Sequence, residues 1–161
     1  MIENQFVFLG LTGIEKAVLQ DDCIAKIFRS GGGLRVMRIE KKDEKNTLVG
    51  YGEHVTFIPM LNEASRSYNN GNIQDETTYL TGDPTPDCML DTWTLSGNKI
   101  FIEKDQDNLK ISLKNSDDRV NYEIKGKSLA STLFLTEKWL EFLDGRRLVE
   151  NKSCEAPRKT R

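Results

Sequence analysis

Leu109-Lys110-Ile111-Ser112-Leu113-Lys114 alternates apolar and polar residues without a break, and Val120, Tyr122 and Ile124 against Asn121, Glu123 and Lys125 repeat the alternation. Successive side chains of an extended strand point to opposite faces, so a period of two marks a sheet with one face in a core and one in water. Antiparallel sheets suit that pattern, whereas parallel sheets are covered by helices on both faces. The intervening turns, Asp105 to Asn108 and Asn115 to Asp118, are of hairpin length and again predict antiparallel neighbours.

The plan of strands followed by a helix occurs twice. Cys23 to Arg29 and Leu34 to Glu40 read as paired strands around Ser30-Gly31-Gly32-Gly33, with Thr47 to Tyr51 as a third. Thr56 then caps a helix with Pro59 in its first turn, Phe57, Leu61, Ala64 and Tyr68 on one face, and Asn69-Asn70-Gly71 closing it. In the second round Trp93 and Leu95 begin a strand, Gly97-Asn98 turns it, and residues 99–104 return. Thr136 caps a final helix whose buried face is Trp139, Leu140, Phe142 and Leu143, and Gly145 ends it. Ahead of both rounds, Phe6 to Leu11 reads as a buried strand, and Thr12-Gly13-Ile14-Glu15 fits a capping box opening a short helix.

The expected fold is therefore α+β: an antiparallel sheet of about seven or eight strands with two packed helices, in the order βββ(β)α-ββββα. Residues 1–148 form one domain, divisible into half-lobes 1–72 and 88–148 joined by a loop at 73–87, and 149–161 read as a disordered basic tail. The element order resembles that of the Whirly single-stranded-DNA binders, a resemblance of topology with no shared motif, which implies a sheet backed by helices.

A chain of 161 residues buries roughly two-thirds of its unfolded surface, so it needs neither disulfide nor metal to fold. Cys23, Cys88 and Cys154 are odd in number and lack CxxC spacing, which suggests neither a disulfide framework nor a zinc site. No apolar run is long enough for a membrane span and no leader is evident, so the expectation is a cytoplasmic protein with no membrane partner. The net charge of −2 argues against a dedicated phosphate-backbone binder. Charge is uneven, however: residues 144–161 hold six basic and three acidic side chains, leaving an acidic body and a basic end.

Ser30-Gly31-Gly32-Gly33 lacks the Lys-Ser/Thr pair and following helix of a phosphate-binding loop and reads as a hairpin turn. Asp83, Asp87 and Asp91 do not share a helix face, because prolines stand at 84 and 86, and the turn at Asp105 lacks the later glycine and glutamate of a calcium loop. No metal, cofactor or catalytic residue is therefore expected. The candidate ligand-binding set is Gly50, Gly52, Glu53 and His54, at a corner before a helix, with Tyr79 and Asp83 from the long connection. Arg35, Arg38, Lys110, Lys114 and Lys125 form a candidate nucleic-acid set on the outer sheet face. The leading expectation is a non-catalytic binding or accessory protein acting through protein–protein contact, with an unknown partner or by self-association. The alternatives are a single-stranded nucleic-acid binder and a small-molecule protein or enzyme with a site near His54.

Overall fold

In a computed structural model of the chain, residues 11–43, 47–71 and 86–154 are described, of which 147–154 are described as helical backbone alone. Helix α1 (Thr12–Glu15) runs into a π-helical turn (Lys16–Gln20). Strands β1 (Cys23–Arg29), β2 (Arg35–Lys41) and β3 (Leu48–His54) follow, then α2 (Phe57–Asn70). The second half is α3 (Met89–Leu95), β4 (Lys99–Asp105), β5 (Asn108–Lys114), β6 (Val120–Gly126) and α4 (Leu129–Cys154). All six strands join one antiparallel sheet in the order β3-β2-β1-β4-β5-β6. The halves meet where β1 pairs with β4, Ala25 opposite Ile102 and Ile27 opposite Ile100.

The α+β class and the antiparallel sheet are as expected, but the described residues hold six strands and four helices. The difference lies mainly at Trp93 and Leu95, which belong to α3 and not to a strand. Thr92 and Thr94 alternate there with Trp93 and Leu95 and imitate a strand. In the helix the Thr94 hydroxyl instead bonds back to the Leu90 carbonyl at 3.2 Å. Helix α4 likewise begins seven residues before Thr136 and passes through Gly145. The Thr132 and Thr136 hydroxyls donate to the carbonyls of Ser128 and Thr132, at 2.5 and 2.7 Å, and so lie within the helix. The strand expected at Phe6 to Leu11 falls, apart from Leu11, outside the described residues.

The helices pack on one face of the sheet. Ala25, Ile27, Met37, Ile39, Ile100, Ile102, Leu109, Ile111 and Leu113 form the floor of the core, and Phe57, Met60, Leu61, Leu90, Leu133 and Leu140 its roof. Each outer strand carries a glycine against which a helix packs. Gly50 and Gly52 stand on the helix side of β3, and an added Cβ on Gly52 would lie 2.5 Å from the Met60 carbonyl oxygen and the Ala64 nitrogen. Helix α2 therefore rests on bare backbone. Tyr122 and Ile124 occupy inner positions of β6, opposite Leu113 and Ile111, and Gly126 at the strand's end admits α4, where an added Cβ would run into the Thr132 side chain.

Every helix N-terminus is capped by a side chain belonging to or just preceding another helix. Ser65 of α2 accepts from the Gly13 and Ile14 amides of α1, at 2.9 and 3.3 Å. Asp87, two residues before α3, accepts from Ile58 of α2 at 3.0 Å. Glu137 of α4 accepts from Met89 and Leu90 of α3, at 2.9 and 3.1 Å. Glu15 of α1 accepts from Leu129 of α4 at 2.9 Å. The four contacts close a ring. Helix N-termini leave unpaired donors that must be met when buried, and a carboxylate there also favours the helix dipole. The capping box read at Thr12 does not form, because its Glu15 serves α4.

Candidate functional site

The corner read as a ligand site is a packed joint. Gly52 admits α2, Gly50 lies against the Ile39 side chain, and Glu53 is 4% exposed. The Glu53 amide donates to the Glu63 carboxylate at 2.7 Å, and its own carboxylate accepts the Tyr51 hydroxyl at 2.9 Å. His54 ends β3, and its Nδ1 accepts from the Thr56 amide at 3.4 Å. The structure thus brings Gly50, Gly52, Glu53 and His54 together, but around backbone and neighbouring side chains. Tyr79 and Asp83 lie outside the described residues.

The basic set does not form one face. Arg35 is buried at 1% exposure on the helix side, where Nε donates to Asp91 and an Nη atom to the Gly33 carbonyl at 2.6 Å. Burial pushes the Asp91 carboxyl up against the opposing pull of Arg35. Arg35 and Arg38 are three positions apart on β2 and so point to opposite sides. On the other face Arg38 and Lys26 share Glu40, each at 3.0 Å. Lys110 stands between Glu103 and Glu123, at 4.0 and 3.9 Å, and Lys125 meets Asp105 at 2.9 Å. Lys114 lies 3.8 Å from the centre of the Phe101 ring. This is a mixed lattice of both signs. A phosphate chain would have to displace carboxylates to use it.

The second half holds an open cleft. A cleft of about 570 Å³ lies between α3, α4 and β6, with Met89, Trp93, Tyr122, Leu140 and Leu143 as apolar walls and Arg146 at its margin. Beside it the surface of α4 is apolar and exposed: Leu135 is 52%, Trp139 37% and Phe142 53% accessible, with Phe134 at 40% and Val120 of β6 at 47%. Residues 135, 139 and 142 follow a helical spacing and form one stripe. Trp139 meets the Tyr122 ring edge-on at 5.6 Å and stacks on Phe142 at 5.6 Å. Leu140 is buried and Leu143 half-buried, as the sequence reading has them, but Trp139 and Phe142 face outward. The signal for this was an excess: Leu129, Leu133 and Leu140 already fill the buried side, so the remaining apolar residues have nowhere inside to go.

A second, shallower cleft of about 360 Å³ is bordered by Asp87, Cys88, Glu137 and Glu141. Burial, reinforced by Glu141 and opposed by the Met89 and Leu90 amides, pushes the Glu137 carboxyl up to about 7. A carboxyl raised above its unfolded value of 4.5 stabilises the fold most below that value, and the contribution is lost as pH rises through about 7. Between pH 5 and 8 the wild type should lose on the order of 3 kcal/mol to this group. Glu137→Gln should flatten that slope in urea unfolding followed across pH. An unchanged slope would remove Glu137 as its source. Burial also pushes the Cys88 thiol up, which disfavours its thiolate.

Among the described residues there is no group of three or more His, Cys, Asp or Glu able to hold a metal ion, and no helix long and apolar enough to cross a membrane. Comparison with protein-family models, with curated proteins and with solved structures gave no match.

Proposed function

We infer that the protein is a non-catalytic binding protein that acts through protein–protein contact, and that its docking surface is the outer side of α4 together with β6. The stripe of Leu135, Trp139 and Phe142 carries this reading. Contiguous exposed apolar surface rimmed by polar groups is uncommon on a monomer and favours contact with another protein. Aromatic anchors concentrate binding energy in such contacts. Lys138, Glu141 and Arg146 border the stripe and supply the polar rim. The nucleic-acid alternative is less well supported, because the sheet lysines already face carboxylates and Arg35 is internal.

The test is affinity capture with the wild-type chain and with a Leu135→Glu/Phe142→Glu double variant. Both side chains are mostly solvated, so thermal stability should shift by no more than about 1 kcal/mol. Partner binding, including self-association, should fall about a hundredfold or more. If the same partners bind both proteins equally, the docking surface is elsewhere.

A further inference from the structure

We propose that the partner seated on this surface is a second copy of the same chain, joined through its β6 strand in one definite antiparallel register with a two-fold axis on Ile124. The proposal rests on the preceding reading of the α4 and β6 side as a docking surface, and adds the identity of the partner and the alignment.

Strand β6 closes one end of the sheet, and no strand among the described residues pairs with its outer edge. Val120, Asn121, Glu123 and Lys125 are all exposed. An unpaired edge presents a row of backbone donors and acceptors that another strand can complete. Helix α4 stands over this edge. Its Glu137 side turns inward to α3, whereas Trp139 reaches Tyr122 on the edge strand. The apolar stripe therefore lies on the flank where a seventh strand would enter.

The sequence of β6 is complementary to itself. A two-fold axis perpendicular to the sheet keeps inner residues opposite inner ones, so it must pass through a residue. On Ile124 the axis sets Glu123 against Lys125 of the second copy and Lys125 against its Glu123. Asn121 then faces Lys127 of the second copy. On the core side Tyr122 falls opposite Gly126, which Thr132 of α4 covers, and Ile124 falls opposite Ile124. Moving the axis to Glu123 opposes two glutamates, and moving it to Lys125 opposes two lysines. Directly opposed like charges disfavour a strand pair, and opposite charges favour it. Of these three registers, the one on Ile124 opposes unlike charges and no like ones.

The charges have room to do this. Within its own sheet Lys125 meets Asp105 at 2.9 Å and Glu123 meets Lys110 at 3.9 Å, while the side chains of Lys125 and Glu123 remain 52% and 44% exposed. The second copy would extend each pair into a ladder, Asp105 to Lys125 to Glu123 of the second copy to its Lys110. The joined sheet would have twelve strands by the sum of two six-stranded sheets, with the two α4 stripes flanking the axis.

Sedimentation equilibrium of the full chain tests this from low to high micromolar concentration. The wild type should be a dimer. Glu123→Lys and Lys125→Glu should each be monomeric, because each single change opposes like charges twice. Mixed together, they should form a heterodimer at least about tenfold tighter than either homodimer, since every opposed pair is then complementary. Melting curves check that both variants fold. A monomeric wild type overturns the proposal, as does a mixture that associates no better than its components. A wild-type dimer that survives both charge changes but is lost in the Leu135→Glu/Phe142→Glu variant would overturn the strand register and leave the α4 docking surface intact. A monomeric wild type that still captures another protein through that stripe would keep the binding function and reject the second copy.

Discussion

Replacing Arg35 with methionine should destabilise the fold by about 3–5 kcal/mol, the usual result of removing one partner from a buried ion pair. The guanidinium is almost wholly enclosed and faces a carboxylate with no exposure at all. It also holds the Gly33 carbonyl, which fixes the end of the β1–β2 hairpin. Without it, Asp91 is left in the interior beside Asp87 with no cation, and burial, which already pushes its carboxyl up, forces it to take up a proton or to bear an unpaired charge. A fall in melting temperature on the order of 10 °C is expected. The double change Arg35→Met/Asp91→Asn should recover part of the loss. Asparagine can still accept from the Asp87 amide, which donates to Asp91 at 3.2 Å, and leaves no buried charge. If the double variant is no more stable than the single one, the unpaired carboxylate is not the cause.

Gly52→Ala should cost about 3 kcal/mol, at the upper end of overpacking effects. The new methyl would lie 2.5 Å from two backbone atoms of α2, and backbone in a packed helix cannot turn aside as a side chain can. Helix α2 must lift from β3, loosening Met60, Leu61 and Ala64 from the core. Gly145→Ala is the control. It adds a methyl within helix α4 with no atom within 4 Å, and should stabilise by up to about 1 kcal/mol. Urea unfolding of the two variants separates close approach from a general intolerance of replacing glycine. Equal stability of Gly52→Ala and wild type would mean that α2 is free to move.

Where local chemistry decides an element, the sequence reading and the structure agree. For α2, Pro59, the apolar spacing and Gly71 are all present in one short stretch, and Gly71 takes the left-handed conformation at φ 65°. Thr56 stands at the N-cap position, but its side chain makes no cap bond and Asp87 supplies it. The alternation of β5 likewise puts Leu109, Ile111 and Leu113 in the core. Where the deciding partner is distant, the sequence is silent or misleads. Glu15 reads as the end of a local capping box but serves an amide 114 positions away. Thr136 reads as a helix start because its hydroxyl is a good cap, although here it bonds back to Thr132. The candidate site shows the same division. Periodicity alone puts Trp139 and Phe142 on the buried face, because it gives the spacing of a stripe but not the side that the core takes. That Arg35 and Arg38 face opposite sides is legible from their odd spacing on one strand, but not that Arg35 is the one that turns inward.

The ring of caps sets a limit on modularity. A fragment ending at Gly71 would contain β1, β2, β3 and α2, a complete first round of the pattern. It would nevertheless lack Asp87 for the amide of Ile58, and its Glu15 would have no Leu129 to receive. The other fragment would lack Glu15 in turn, and each would expose the strand that joins them, β1 or β4. Two ancestral halves, had they ever folded alone, would have needed caps of their own. In this chain each half caps one helix of the other, α2 through Asp87 and α4 through Glu15, so the halves are complementary parts of one folding unit and not interchangeable copies.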